Sequence, residues 1–177
     1  MRKQFLLLTV VGSVILFVFL RLYNLTLLPV FADEAIYIRW AQLIVQDPKQ
    51  YAFFSMYDGK PPLYMWLLTG FLQLKPLDPL WASRLLSATV SLLHLGILLV
   101  TVRKLHLKRA IYPITILLAA IFPFMLFHGR MGLMDGLLAL GMQILVLGLI
   151  QIQRDRNFLG SLVGGLGFTI ALYTKTP

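Results

Sequence analysis

The chain contains no cysteine and only seven acidic residues among 177. Without thiols there is no disulfide, no thiolate nucleophile and no Cys-ligated metal. Charged residues of both signs make up 13% of the sequence, against about 25% in an ordinary soluble domain. That deficit excludes a water-soluble globular protein and a disordered tail. What the chain has in surplus is apolar, with 59% hydrophobic residues and a mean hydropathy of +0.81. A net charge of +9 would suggest nucleic acid if the basic residues formed one face. They sit instead at the ends of apolar runs, as membrane-orienting residues do, so no nucleic-acid partner is expected.

A helix crosses the hydrocarbon core with about 20 mostly apolar residues. Five runs approach that length: Gln4 to Leu20, Leu85 to Val102, Ile111 to Phe127, Gly136 to Gln153 and Phe158 to Thr174. The first continues into Arg21-Leu22-Tyr23 without a small-residue cleavage site, so it reads as a retained signal anchor. A sixth run, Pro61 to Leu74, is 14 residues long, too short for an ordinary span. If it stays at the surface, the N-terminus and the loops Arg103 to Arg109 and Arg154 to Arg156 share one side. Those compact segments hold eight Lys/Arg and one acid, which marks that side as cytoplasmic. The expected architecture is all-α: a polytopic bundle of about five spans, with two juxtamembrane helices in an external loop over 23–80. Six of the seven acids, Asp33, Glu34, Asp47, Asp58, Asp78 and Asp135, then fall outside or at the outer membrane edge.

The external loop carries the first chemistry. Asp33 to Ile44 has helical spacing, with Ile36, Trp40, Leu43 and Ile44 on one face, suited to lying along the membrane surface. Asp33 stands at the N-cap and Glu34 in the first turn, where acids complement the helix dipole. A cap is the plain reading of Asp33, and a general base is the functional one. In Gly59-Lys60-Pro61-Pro62, the prolines suit a first helical turn whose free N–H groups, with Lys60, would attract a phosphate. A lysine snorkelling to the interface is the alternative.

Asp135 opens the fourth run within Arg130-Met131-Gly132-Leu133-Met134-Asp135-Gly136. A carboxylate there must cap the helix, pair with Arg130 or face a polar cavity, and an intramembrane acid is a functional candidate by default. Arg84 is either an interfacial anchor or a phosphate ligand. His94 lies in mid-span without a partner motif. Gly132/Gly136 and Gly160/Gly164 have the spacing of close helix packing, and Pro123 is expected to kink the third span.

Taken in order, Asp33-Glu34, Gly59-Lys60-Pro61-Pro62-Leu63, Arg84, Asp135 and Tyr173-Thr174-Lys175 span nearly the whole chain. In that order the chain resembles the N-terminal part of polytopic lipid-carrier-dependent glycosyltransferases of the protein-mannosyltransferase and aminoarabinose-transferase type. The family commonly has Lys-Gly-Pro where this chain has Lys175-Thr176-Pro177. The resemblance implies a longer parent protein, of which these residues form an N-terminal fragment. It also implies sugar transfer from a polyprenyl-phosphate donor to a protein, lipid or glycan hydroxyl at the external face of a plasma or inner membrane. Under it, Asp33 is the base and Glu34 or Asp135 orient groups nearby. Lys60, with Arg84 or Arg130, steadies the departing lipid phosphate, and inversion at the anomeric carbon is expected. A divalent cation held by the acids is a possible addition. The rival class is a non-enzymatic membrane protein, a transporter segment or an assembly subunit, with Lys60 and Asp135 as anchors. Charges gathered at one end fit a transporter poorly, since transporters place polar groups near mid-membrane.

Overall fold

The structure, a computed structural model, describes residues 2–74, 78–154 and 156–175. The described residues form helices and loops with no strand. Helix α1 (Arg2–Leu22) runs from one end of the bundle to the other. There the chain turns into α2 (Ala32–Gln46), the single turn α3 (Pro48–Tyr51), a 3-10 turn (Phe54–Asp58) and α4 (Leu63–Leu72). Helix α5 (Pro79–Lys104) returns to the first end, and α6 (Ile111–Ile121) with α7 (Pro123–His128) climbs back. Helices α8 (Asp135–Ile152) and α9 (Asn157–Thr174) form a final hairpin.

Four helices, α1, α5, α8 and α9, are long and apolar enough to cross a membrane. The third expected span is interrupted. Phe122 is extended (φ −60°, ψ 120°), and Pro123 restarts the helix, so the pass from Ile111 to His128 is made in two pieces. Proline supplies no N–H for the carbonyl of Ala119, four residues back. Arg21, fully buried in the last turn of α1, satisfies that end. It donates to the carbonyls of Ala119 at 2.7 Å and Ala120 at 2.8 Å and to Ser91 Oγ at 3.2 Å. Its guanidinium also stacks on Phe17, 4.2 Å from the ring centroid. The break anticipated at Pro123 is therefore closed by a residue that reads in the sequence as a mere flank.

Helix α4 has ten residues, about 15 Å, half the thickness of a hydrocarbon core. Tyr64, Met65 and Leu68 are fully buried against α2 and α5, which fits a helix that does not cross. Helix α5 begins six residues before its apolar run, because Asp78 caps it. The Asp78 carboxylate accepts from the amides of Leu80 at 2.9 Å and Trp81 at 3.2 Å, with Pro79 in the first turn. That early start puts Arg84 inside the helix. One core joins α2, α4, α5 and α8 around Tyr64 and Met134, and a second joins α1, α5 and α6 around Phe17 and Ile116.

Helices α8 and α9 meet backbone to backbone through Gly141, Gly148, Gly160, Gly164 and Gly167. A Cβ on Gly141 would stand 2.7 Å from the Ala171 amide, and one on Gly148 would strike the backbone of Gly164. The Gly160/Gly164 spacing thus marks close helix packing as expected. Gly132 does not belong to such a seam. It lies in the loop before α8, where a Cβ would collide with Ser83 Oγ and stand 3.1 Å from Glu34 Oε1.

The acids gather at one end. Asp33, Glu34, Asp58, Asp78 and Asp135 lie with residues 21–34 and Lys175 at one end. The segment 103–109 and residues Arg154 and Arg156, with the start of α1, occupy the other. These are called below the acidic end and the basic end.

Candidate active site

At the acidic end, the two neighbouring acids of α2 have separate fates. The helix begins two residues earlier than the pattern suggested, with Phe31 rather than Asp33 as N-cap. Phenylalanine offers no side-chain acceptor, and the turn is closed by Glu34 reaching back to the Phe31 amide at 3.0 Å, the glutamate half of a capping box. The buried residues of α2, Glu34, Tyr37, Ile38, Ala41 and Ile44, form the face packed into the protein and share only Ile44 with the face expected to lie along the membrane. Ile36 is turned outward.

Glu34 is wholly buried and ion-paired to the equally buried Arg84. Arg84 Nε donates to Oε1 at 2.9 Å and Nη2 to Oε2 at 2.8 Å, the bidentate fork. The remaining guanidinium hydrogens go to the carbonyls of Leu25 at 2.7 Å, Leu28 at 2.9 Å and Pro29 at 3.0 Å. All five donors of an arginine are then committed. The Gly132 amide donates to Glu34 Oε1 at 2.6 Å, a contact that the missing Cβ permits. Burial raises the affinity of Glu34 for a proton. The hydrogen bonds from Arg84, Phe31 and Gly132 and the arginine charge overcome it and hold the carboxyl below its ordinary range.

Arg130 is also turned to structure. It donates to the carbonyl of Leu20 and to those of Tyr23 at 2.8 Å and Asn24 at 2.9 Å, closing the C-terminus of α1. It does not meet Asp135, the pairing the sequence suggested. Asp135 instead pairs with Lys175 at the end of α9, 2.9 Å away.

The residues left open to a substrate are Asp33, Lys60, Asp58, Asp135 and Lys175. Asp33 is half-buried, and its carboxylate makes no hydrogen bond among the described residues. Gly59 has φ 69°, a left-handed turn suited to glycine, and after it Lys60 bends back to Asp58 at 2.9 Å. The Lys60 ammonium lies 5.6 Å from the ring centroid of Tyr37 and 5.5 Å from that of Trp40, within cation–π range. Tyr37 ties the group together. Burial first, then the charges of Asp33, Asp135 and Asp58 with neighbouring Tyr64, push its hydroxyl above the ordinary tyrosine range. Carboxylates from α2, the 3-10 turn and α8 thus all act on the Tyr37 hydroxyl, and Lys60 lies against its ring.

A small cavity of about 40 Å³ opens beside Asp135, lined by Ser87, Ser91, His94 and His128 among others. Among the described residues no group of three or more His, Asp or Glu stands close enough to hold a metal ion. The cation expectation therefore finds no ready-made site among the described residues. Thr176 and Pro177, the end of the Lys-x-Pro match, lie outside the described residues.

The family model for dolichyl-phosphate-mannose-protein mannosyltransferase matches residues 59–177, more than half of the chain. The chain belongs to this family. No curated protein and no solved structure matches it. As a mannosyltransferase-type protein, the chain is a membrane glycosyltransferase, and its apolar helices make it an integral membrane protein. The match begins at Gly59, so Lys60, Arg84, Asp135 and Lys175 fall within it. Asp33 and Glu34 precede it, and their assignment rests on geometry.

Sequence reasoning missed the roles of Arg21 and Arg130 as carbonyl clamps, and it missed the Glu34–Arg84 pair. A signal existed for the capping by Glu34, since acids three residues into a helix often complete a cap, but none pointed to Arg84. Phe31 lacks the Ser/Thr that makes such a motif readable.

Proposed function

We propose that the acidic end transfers a sugar, of the mannose type, from a polyprenyl-phosphate donor to an acceptor hydroxyl. Asp33 takes the acceptor proton as the new bond forms at the anomeric carbon. The bond to the phosphate oxygen breaks, and the polyprenyl phosphate leaves with the electron pair. Attack opposite the departing phosphate inverts the carbon. Lys60 balances the charge gathering on the phosphate, and Lys175, steered by Asp135, lies at the same end to assist. A leaving phosphate needs no proton, so cations are the fitting catalysts. Glu34 and Arg84 act as a positioning pair, fixing the α2 turn that carries Asp33. Arg130 holds the end of α1.

The observation that carries this reading is Asp33: Glu34 performs the capping, which leaves Asp33 uncommitted one helical turn before Tyr37, the ring against which the Lys60 ammonium lies. The basic end is then cytoplasmic, by the loop charges, and the acidic end faces outward from the cell membrane.

The test is Asp33→Asn and Lys60→Ala in the complete chain, in membranes supplied with polyprenyl-phosphate-mannose and a hydroxyl acceptor. Loss of a general base typically lowers turnover by about 10²–10⁴-fold. Asp33→Asn should do so with expression intact, and Lys60→Ala should also weaken binding of polyprenyl phosphate alone. Normal turnover in both variants would leave a non-catalytic membrane protein as the better account.

A further inference from the structure

We propose that the basic end of the bundle binds the phosphodiester headgroup of an acidic phospholipid that also carries a free hydroxyl, as a glycerol headgroup does. A cavity of about 670 Å³ lies there, within the usual size range of ligand sites. Arg103, Lys104 and His106 line it from the end of α5, and Gln151, Arg154 and Arg156 from the end of α8 and the following loop. It lies at the opposite end of the spans from Asp33 and Lys60, so it is not the donor site.

Basic residues at helix C-termini are ordinary, because they offset the carbonyl dipoles. Each dipole end amounts to about half a charge, so α5 and α8 together absorb about one of the four permanent cations. Asp155, outside the described residues, offsets one more in the sequence. About two positive charges remain, and the N-terminus of α9 at Asn157 adds to them. Basic pockets between spans hold acidic headgroups in this way.

Gln151 provides the second feature. The residue is 7% exposed, and Oε1 is buried with no hydrogen-bond partner among the described residues. A buried acceptor without a donor is a cost carried by the fold until a donor arrives. Ionised phosphate oxygens only accept, whereas a headgroup hydroxyl donates. Phosphocholine offers neither net charge nor a donor. The cations and the amide together therefore select a headgroup that is anionic and hydroxylated.

The test uses the full chain in mild detergent, titrated with phosphatidylglycerol, phosphatidic acid, phosphatidylcholine and inorganic phosphate, with bound lipid read by native mass spectrometry. Phosphatidylglycerol should bind at least about tenfold tighter than phosphatidylcholine or phosphate. The double variant Arg103→Gln/Arg154→Gln should lose that advantage. Lys108→Gln/Arg109→Gln, which removes the same charge outside the cavity, should retain it. Gln151→Leu should erase the preference for phosphatidylglycerol over phosphatidic acid. Three results would each overturn the proposal: equal binding of phosphatidylcholine, phosphate competing as well as lipid, or equal losses in the two double variants.

Discussion

Replacing Arg84 by methionine, which nearly preserves the length of the side chain, isolates the buried pair at the acidic end. The substitution leaves Glu34 at 0% exposure without its counter-ion, and it leaves the carbonyls of Leu25, Leu28 and Pro29 without donors. Removing one partner of a buried pair costs about 3–5 kcal/mol. At roughly 2–4 °C per kcal/mol for a chain of this size, the unfolding midpoint should fall on the order of 10 °C. Glu34→Gln should cost less, because the amide still accepts from the Gly132 amide. The double variant Glu34→Met/Arg84→Met should recover part of the loss, because no unpaired charge remains buried. It should not recover all of it, because the three carbonyls stay unmet.

The pH dependence gives an independent check. The folded-state proton affinity of Glu34 is depressed. Its stabilisation is therefore fully present above the unfolded carboxyl range, near pH 4–5, and is lost as pH falls through the lower folded value. The gap between wild type and Glu34→Gln should be widest at neutral pH and close in acid. Thermal unfolding of the purified chain, followed by helix content from pH 3 to 8, measures both effects. An Arg84→Met midpoint within about 2 °C of wild type, or a Glu34→Gln gap that stays flat with pH, would refute the assignment.

Gly148→Ala should destabilise the α8–α9 hairpin by about 1–3 kcal/mol or more, since the new methyl meets Gly164 backbone. Gly165→Ala, which meets nothing within 4 Å, should be neutral or slightly stabilising in the same unfolding experiment. Arg21→Met should strand the carbonyls of Ala119 and Ala120 and lower stability by about 1–3 kcal/mol for each group left dry. Faster amide exchange should then appear in α7 before it appears in α9.

What could be read from the chain and what could not divide along the range of the interactions. The spans at α1, α5, α8 and α9 follow from hydropathy over neighbouring residues, and the interruption at Pro123 follows from one missing N–H. The gathering of six of the seven acids toward one end was also legible, because loops are local. The arginines were not. Arg84 meets Glu34 fifty positions away, and Arg130 meets Leu20 at a separation of 110. No periodicity distinguishes a guanidinium that clamps carbonyls from one that awaits a phosphate. The roles of Asp33 and Glu34 turned on a two-residue shift of the helix start, with Phe31 standing at the cap where capping preferences would have put Asp33. Lys60 was legible as a candidate from Gly59 and the prolines, whereas its seat over Tyr37 and Trp40 required the fold.

Arg21 also sets a timetable for assembly. Its acceptors, Ala119 and Ala120, lie 98 and 99 residues further along the chain. At a synthesis rate of about 5–20 residues per second, they emerge some 5–20 seconds after Arg21 does. Throughout that interval Ala119 and Ala120 are absent, so the contacts that hold Arg21 in the finished bundle cannot form. The final seating of α1 belongs to the arrival of α6, which makes the earliest helix of the chain one of the last to settle.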